Sequence, residues 1–89
     1  MAQVTFTTAL QGHVDCPPAE VAGATVGDVL ASYFGEHPEV RGYVLDEQGH
    51  VRKHVTVFVD GVQIRDRVGL TDPVGERGEI YVMQALSGG

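Results

Sequence analysis

Hydrophobic and polar residues alternate along the first part of the chain. Within residues 3–10, Val4 and Phe6 share one parity and mostly polar residues take the other, a period of two that is typical of a strand with one buried face. A short return strand is predicted over residues 13–16. It ends at Pro17, because proline cannot donate the backbone hydrogen bond that a sheet requires.

The period then changes to that of a helix. Apolar residues recur at i, i+3, i+4, i+7 and i+8 from Val26 onward, which is the stripe of an amphipathic helix. Thr25 precedes the stripe and Asp28 stands three residues later, an arrangement typical of a capped helix start. Since Pro38 disfavours helical geometry at the residue before it, a helix is predicted over residues 26–36.

Patterns of period two return in the second half of the chain. A short strand is predicted over residues 42–45, and a longer one over residues 50–59, where four valines share one parity. Asp60-Gly61 follows directly and is a strong hairpin signal, because a type I′ turn needs positive φ at both central residues. Residues 62–64 are therefore predicted to return beside the long strand.

The last alternating stretch covers residues 79–86. Ile80 and Val82 are predicted to face the core, and Tyr81 and Met83 to face outward. The resulting order is strand–strand–helix–strands–final strand. It predicts an α+β fold in which one main helix packs across a mixed sheet of four to five strands.

The composition restricts the classes of function. With 89 residues, 43% of them hydrophobic, the chain has room for one globular domain with one core. A net charge of −6 repels nucleic acid and anionic membranes, so we expect neither as a partner and expect a partner protein with a basic docking face. No stretch has the pattern of a signal peptide or a membrane span, which predicts a cytoplasmic protein.

The cysteine and histidine residues do not indicate a further site. Cys16 is the single cysteine, which excludes an internal disulfide and a four-cysteine iron–sulfur cluster. Its acidic neighbour Asp15 favours a structural rather than a reactive thiol. On a strand, His50 and His54 would lie about 13 Å apart, too far to share a metal ion. We therefore predict neither a metal site nor a stably bound cofactor.

Three motifs follow one another along the chain. Residues 25–30 read Thr-Val-Gly-Asp-Val-Leu, residues 55–61 read Val-Thr-Val-Phe-Val-Asp-Gly, and a Gly-Leu pair at residues 69–70 leads to Ala-Leu-Ser-Gly-Gly at residues 85–89. In this order and spacing they resemble the MoaD/ThiS family of ubiquitin-like sulfur carrier proteins over nearly the whole chain. The layout is closest to the cysteine-biosynthesis type of carrier.

The resemblance implies a β-grasp domain over residues 1–86 and a flexible Gly-Gly tail over residues 87–89. It implies that an E1-like adenylyltransferase uses ATP to adenylate the carboxylate of Gly89, and that a sulfurtransferase or persulfide donor converts the adenylate into a thiocarboxylate. A downstream synthase would then accept the sulfur. The chain would be a carrier that is monomeric when free, not an enzyme, and Gly88 and Gly89 would be its working residues.

The chemistry of the terminus agrees with this scheme. An α-carboxylate has a pKa of about 3.5, so at neutral pH it is an anion and a poor electrophile, and it must be activated. Gly88 and Gly89 lack Cβ atoms and therefore fit a narrow channel in an activating enzyme. From Ala85 onward an extended tail spans roughly 17 Å. The alternative interpretation of the two glycines is an ordinary frayed end.

The residues just before the terminal glycines are candidates for docking the partner enzymes. We predict a docking surface beside the tail, because exposed aromatic and methionine side chains are common anchors at protein interfaces. The alternative for the outward residues of the last strand is an ordinary apolar position on its exposed face. The predicted docking residues are Tyr81, Met83, Leu86 and Ser87.

The molecule that receives the sulfur is open at this stage. Cysteine or a related sulfur metabolite is favoured, and the small subunit of molybdopterin synthase and a thiamine thiazole sulfur carrier are alternatives. Two further alternatives belong to other classes of function. One is a ubiquitin-like modifier that passes the activated Gly89 to lysine amines, and the other is a β-grasp docking module with no chemistry at its terminus.

Overall fold

The computed structural model describes residues 1–84, which form five strands and three helices. None of the helices in this part of the chain is long and apolar enough to cross a membrane. In chain order the elements are β1 Ala2–Phe6, α1 Thr8–Gln11, β2 Ala19–Val21, α2 Val26–Glu36, α3 Pro38–Val44, β3 Val55–Val59, β4 Val62–Gln63 and β5 Glu79–Gln84.

The strands form one mixed sheet in the order β2-β1-β5-β3-β4. The central strand β5 runs parallel to β1 and antiparallel to β3. The outer strands β2 and β4 pair antiparallel with their neighbours. This architecture confirms the predicted α+β fold and the expected number of strands. It also means that the strand leading to the C-terminal residues is held on both sides.

The core lies between one face of the sheet and α2. Ile80 and Val82 of β5 are fully buried, as their alternation predicts. A fully buried aliphatic side chain of this size contributes about 1.5–3 kcal/mol to stability, so the helix is held on the sheet by its apolar stripe. The residues that α2 buries are Val26, Val29, Leu30, Tyr33 and Phe34.

α2 begins and ends where the sequence predicts. Thr25 Oγ1 accepts a hydrogen bond from the backbone N–H of Asp28 at 3.2 Å, which satisfies one of the free donors of the first turn. The last helical residue is Glu36, and His37 leaves helical geometry directly before Pro38. Local sequence signals therefore mark both ends of the helix that covers the sheet.

The strand predicted over residues 42–45 is wrong for residues 42–44, which belong to α3, and only Leu45 forms an isolated antiparallel bridge, with Val51. Pro38 ends α2 but also begins α3, since the missing N–H of proline costs nothing at the first position of a helix. Val40 and Val44 are buried four residues apart along α3, which is a helical spacing. Only two residues carry this pattern, so the period is hard to recognise in the sequence.

The strand predicted over residues 3–10 is too long, and the strand predicted over residues 13–16 is wrong. β1 ends at Phe6, and Leu10 is buried as part of α1 instead. Because Leu10 lies four residues after Phe6, its position suits a helical turn as well as a strand. The true second strand, β2, lies beyond the two prolines and pairs with β1.

The strand predicted over residues 50–59 is too long. Arg67 Nη2 donates hydrogen bonds to the backbone carbonyls of Arg52, at 2.6 Å, and Val55, at 2.7 Å. Its guanidinium therefore joins the turn before β3 to the first residue of the strand. Residues 53–54 form a turn, and β3 begins only at Val55.

The predicted hairpin turn is confirmed. Asp60 and Gly61 have φ angles of 50° and 82°, the positive values that the type I′ signal requires. Beyond the turn, Val62 pairs with Val59. The carboxylate of Asp60 also accepts a hydrogen bond from the N–H of Glu79 at 2.9 Å, which ties the hairpin to the start of β5.

A carboxylate that the sequence patterns did not single out orders the segment between β4 and β5. Asp66 accepts hydrogen bonds from the hydroxyl of Thr71 and the N–H of Gly69, both at 2.7 Å. These bonds lower the pKa of Asp66 to about 2. The ordered loop supports the start of α2, since the N–H of Gly27 donates to the carbonyl of Leu70 at 2.9 Å.

Candidate functional site

The face of the sheet opposite α2 exposes apolar side chains. Tyr81 and Met83 point away from the core and are 38% and 39% exposed, which confirms their predicted orientation. Phe58 of β3 lies on the same face, because its neighbour Val57 points into the core. The sequence analysis did not single out Phe58. Its parity, opposite to that of the buried valines of β3, is the signal that could have found it.

The strand register brings these side chains together. Tyr81 of β5 lies between Thr5 of β1 and Phe58 of β3, and Met83 lies opposite Thr56 of β3. Directly opposed residues have Cβ atoms about 4.5–5.5 Å apart. Phe58, Tyr81 and Met83 therefore form one continuous surface, here called the apolar patch.

The apolar patch lines a shallow depression of about 450 Å³. The depression lies open on the face of the sheet, with an apolar centre and a mostly polar edge. An apolar core surrounded by a polar rim is also the arrangement of protein–protein interfaces in general. The other lining residues are Gln3, Thr5, Gly61 and Glu79.

β5 carries the chain to Gln84, the last described residue. From here on, residues 85–89 are called the tail, and Gln84 is called its root. Gln84 pairs with Val55 of β3, and its N–H donates to Oγ1 of Thr7 at 3.4 Å. The root of the tail is therefore anchored to the strands on both sides of β5. Four of the predicted site residues lie outside the described part of the chain: Leu86, Ser87, Gly88 and Gly89.

The two ends of β5 have different charged neighbours. At its start, Glu79 is exposed and hydrogen-bonded to Asp60, and Arg77 and Met1 lie nearby, so both signs of charge occur there. At its end, Gln84 pairs with Val55, which is preceded by Arg-Lys-His at residues 52–54. We call residues 52–54 the basic turn.

Cys16 is not part of this surface. It is buried in the core with 2% of its surface exposed, and burial, with a smaller contribution from Asp15, raises the pKa of its thiol. The nearby hydroxyl of Tyr33 donates a hydrogen bond to the carbonyl of Pro17 at 2.7 Å, and burial raises the pKa of Tyr33 as well. Both groups therefore stay protonated at neutral pH and act as core side chains.

Two of the four histidines lie against aromatic rings. His37 lies against Tyr33 with ring centroids 4.7 Å apart, and His13 stacks on Tyr43 at 6.4 Å. Within residues 1–84, no group of three or more histidine, cysteine or acidic side chains is arranged to hold a metal ion. The described surface presents an exposed apolar patch on the strand that leads to residues 85–89.

The fold is shared with several solved structures over nearly the full chain. SAMP1, a small archaeal modifier protein from Haloferax volcanii, is 24% identical, with 99% of this chain and 98% of that chain covered and a TM-score of 0.78. The crystal structure of the Amycolatopsis orientalis BexX/CysO complex contains a chain that is 22% identical, with complete coverage of both chains and a TM-score of 0.83.

CysO of Mycobacterium tuberculosis is a third such structure. It is 18% identical, with 97% of this chain and 100% of that chain covered and a TM-score of 0.80. No protein-family model and no curated protein sequence matches the chain. The structural likeness confirms the predicted β-grasp fold.

Proposed function

We propose that this chain is a ubiquitin-like sulfur carrier, whose Gly89 carboxylate is adenylated by a separate E1-like enzyme and then converted into a thiocarboxylate. The observation that carries the proposal is the sequence Ala-Leu-Ser-Gly-Gly directly after the central strand of a β-grasp sheet. The full-length likeness to CysO, which has been crystallised in a complex with BexX, supports it.

In this scheme the chain supplies a co-substrate rather than a catalyst. A carboxylate oxygen of Gly89 attacks the α-phosphate of ATP in the activating enzyme, and pyrophosphate leaves. The terminal sulfur of a persulfide donor then attacks the acyl carbon, and AMP leaves. A second thiol attacks the donor sulfur of the resulting acyl disulfide, so that the S–S bond breaks, the thiocarboxylate is released and a disulfide remains on the donor. Gly88 and Gly89 have no Cβ atoms, so an enzyme can close around the reacting carbonyl. The five residues after Gln84 can reach roughly 17 Å when extended. This reach would let the tail enter an active site while the domain stays outside.

The apolar patch is the proposed docking surface for the activating enzyme. Phe58, Tyr81 and Met83 give it two aromatic rings and a methionine, the residue types that most often anchor interfaces. Leu86 and Ser87 are proposed to extend the contact toward the tail. A basic side chain of the partner would pair with Glu79 at the edge of the patch, in keeping with the net charge of −6.

The proposed use of the sulfur is the synthesis of cysteine or a related metabolite, in the cytoplasm. The likeness to two CysO structures over the whole chain favours this use. A role as the small subunit of molybdopterin synthase or as a thiamine thiazole sulfur carrier would use the same terminal chemistry. The three are distinguished by which synthase consumes the thiocarboxylate in a reconstituted reaction.

The test is an intact-mass measurement. The chain is incubated with ATP, the E1-like enzyme of the same organism and a persulfide donor, beside a variant that lacks Gly89. We expect the native chain to exchange one oxygen for sulfur, with the change mapped to Gly89, and the shortened variant to remain unchanged. A chain that keeps its mass while the same enzyme converts a known carrier would contradict the proposal.

A protein modifier is the second candidate function. The likeness to SAMP1, whose name describes it as a modifier, favours it. The activation of Gly89 would be the same. The activated acyl group would pass to a lysine amine instead of the sulfur of a persulfide. Conjugates heavier than the free chain in a cell extract, lost on removal of Gly89, would support this candidate. A docking module, in contrast, would keep its binding partner after removal of Gly88 and Gly89.

A further inference from the structure

Lys53 is the single lysine of the chain. The other five of the six basic Lys and Arg residues are arginines, whose guanidinium groups stay protonated and do not act as nucleophiles. Lys53 is exposed and lies in the basic turn directly before β3. It therefore presents the one side-chain amine that this protein can offer to an activated acyl group.

The strand register places Lys53 at the root of the tail. Gln84 pairs with Val55, and β3 runs antiparallel to β5, so the residues before Val55 lie at the end where β5 leaves the sheet. Paired Cα atoms are about 5.5 Å apart and two residues span at most about 7 Å, so the Cα atom of Lys53 lies no more than about 13 Å from that of Gln84. The five residues that follow Gln84 have a reach of roughly 17 Å.

We propose that Lys53 is the internal acceptor of the chain's own activated C-terminus, an inference that rests on the proposed activation of Gly89. The unprotonated amine of Lys53 attacks the acyl carbon of the Gly89 adenylate. A C–N bond forms, the bond from carbon to the phosphate oxygen breaks, AMP leaves, and the amine proton passes to solvent. The product is an intramolecular isopeptide, lighter than the free chain by one water and unable to carry sulfur.

The α-amino group of Met1 is a much poorer acceptor. It donates a hydrogen bond to the carbonyl of Glu76 at 2.7 Å, close to the start of β5, where Gln3 pairs with Glu79. The start and end of β5 are about 17 Å apart, so the tail would have to run back along the whole strand. The tail therefore reaches the amine of Lys53 more readily than the α-amino group of Met1.

The same tether favours the chain's own Lys53 over that of a second copy. A short flexible tether gives an effective concentration in the millimolar range, so at micromolar protein the internal reaction is favoured by roughly a thousandfold. The activating enzyme would suppress it by holding the tail in its own channel. The internal isopeptide is then the fate of a carrier released before its sulfur is loaded.

The test activates Gly89 without any enzyme. The chain is released from an intein fusion as a C-terminal thioester and is followed by intact mass at mildly alkaline pH. We expect a species lighter than the free acid by one water, with Gly89 joined to Lys53 in peptide maps. Its first-order rate should not change on tenfold dilution, and Lys53→Arg should leave only hydrolysis.

A double variant, Lys53→Arg with Arg77→Lys, is the matched control. It keeps the net charge and the number of lysines but moves the amine to the exposed position 77, near the start of β5, and we expect at least a tenfold slower cyclisation. Linked dimers as the main product, equal rates in the double variant, or hydrolysis alone in the native chain would each overturn the inference. Because the thioester needs no activating enzyme, such a result would leave the carrier proposal untouched.

Discussion

The two faces of the sheet differ in how far their side chains are exposed to solvent. On the face covered by α2, Ile80 and Val82 are fully buried, whereas on the other face Tyr81 and Met83 are more than one-third exposed. These four residues alternate along a single strand, so the stability of the fold and the proposed docking surface rest on the same backbone. We therefore expect substitutions at the buried positions of β5 to affect stability, and substitutions at its exposed positions to affect docking.

The largest effect is expected on the covered face. Ile80→Ala removes a fully buried side chain and should lower the free energy of unfolding by about 2–5 kcal/mol, because it leaves a cavity between the sheet and α2. Met83→Ala on the open face should cost less than about 1 kcal/mol. Urea unfolding of the two variants measures the difference. Equal losses would mean that both faces are packed alike.

The next effect is expected on the open face. Tyr81→Ala removes the centre of the apolar patch and should lower the kcat/KM of adenylation by about thirtyfold, the equivalent of a binding hot spot of about 2 kcal/mol. The free energy of unfolding should change by less than about 1 kcal/mol. Val62→Ala is the control, since Val62 is 69% exposed but lies outside the patch. The same loss in both variants would exclude the patch as the docking surface.

A smaller effect is expected from the cap of the covering helix. Thr25→Ala removes the acceptor for the N–H of Asp28 and should lower the free energy of unfolding by about 1 kcal/mol. Thr25→Ser retains the hydroxyl and should be nearly neutral. Because the open face is not involved, the rate of adenylation should stay unchanged while the protein is folded. A loss of that rate in the folded variant would show that the two faces are coupled.

The smallest effect is expected from the loop that supports the start of α2. The pKa of Asp66 is lowered from its ordinary value of 3.8 to about 2 by the hydroxyl of Thr71 and neighbouring backbone N–H groups. Its contribution to stability is therefore present above the ordinary value and is lost as the pH falls toward 2. Urea unfolding between pH 5 and pH 2 should show a smaller loss in Asp66→Asn than in the native chain.

A control separates this carboxylate from general acid destabilisation. Glu47→Gln removes an exposed acidic side chain on the turn after α3, away from the Asp66 loop. Its pH profile should follow that of the native chain. If both variants reduce the pH dependence of the free energy of unfolding equally, that dependence reflects the net charge of the protein rather than the hydrogen bonds of Asp66.

Some elements follow from the sequence because their signals are local. α2 has its cap residue, apolar stripe and terminating proline within fourteen consecutive residues. The turn at Asp60-Gly61 needs only two residues that accept positive φ. The alternation of β5 assigns the exposed face to Tyr81 and Met83. The sequence patterns do not reveal α1 and α3, because each is short and has few apolar residues to show its period.

The sequence by itself determined the main helix α2, the inward and outward sides of β5, and the Gly-Gly end on which the proposed chemistry depends. Only the tertiary structure decided that Phe58 joins Tyr81 and Met83 in one patch, and that Lys53 lies at the root of the tail. The physical reason is that the pairing of β3 with β5 joins residues far apart in the sequence, such as Phe58 with Tyr81 and Val55 with Gln84. No local pattern encodes which strands become neighbours or in which register, because that choice depends on the burial of the whole core.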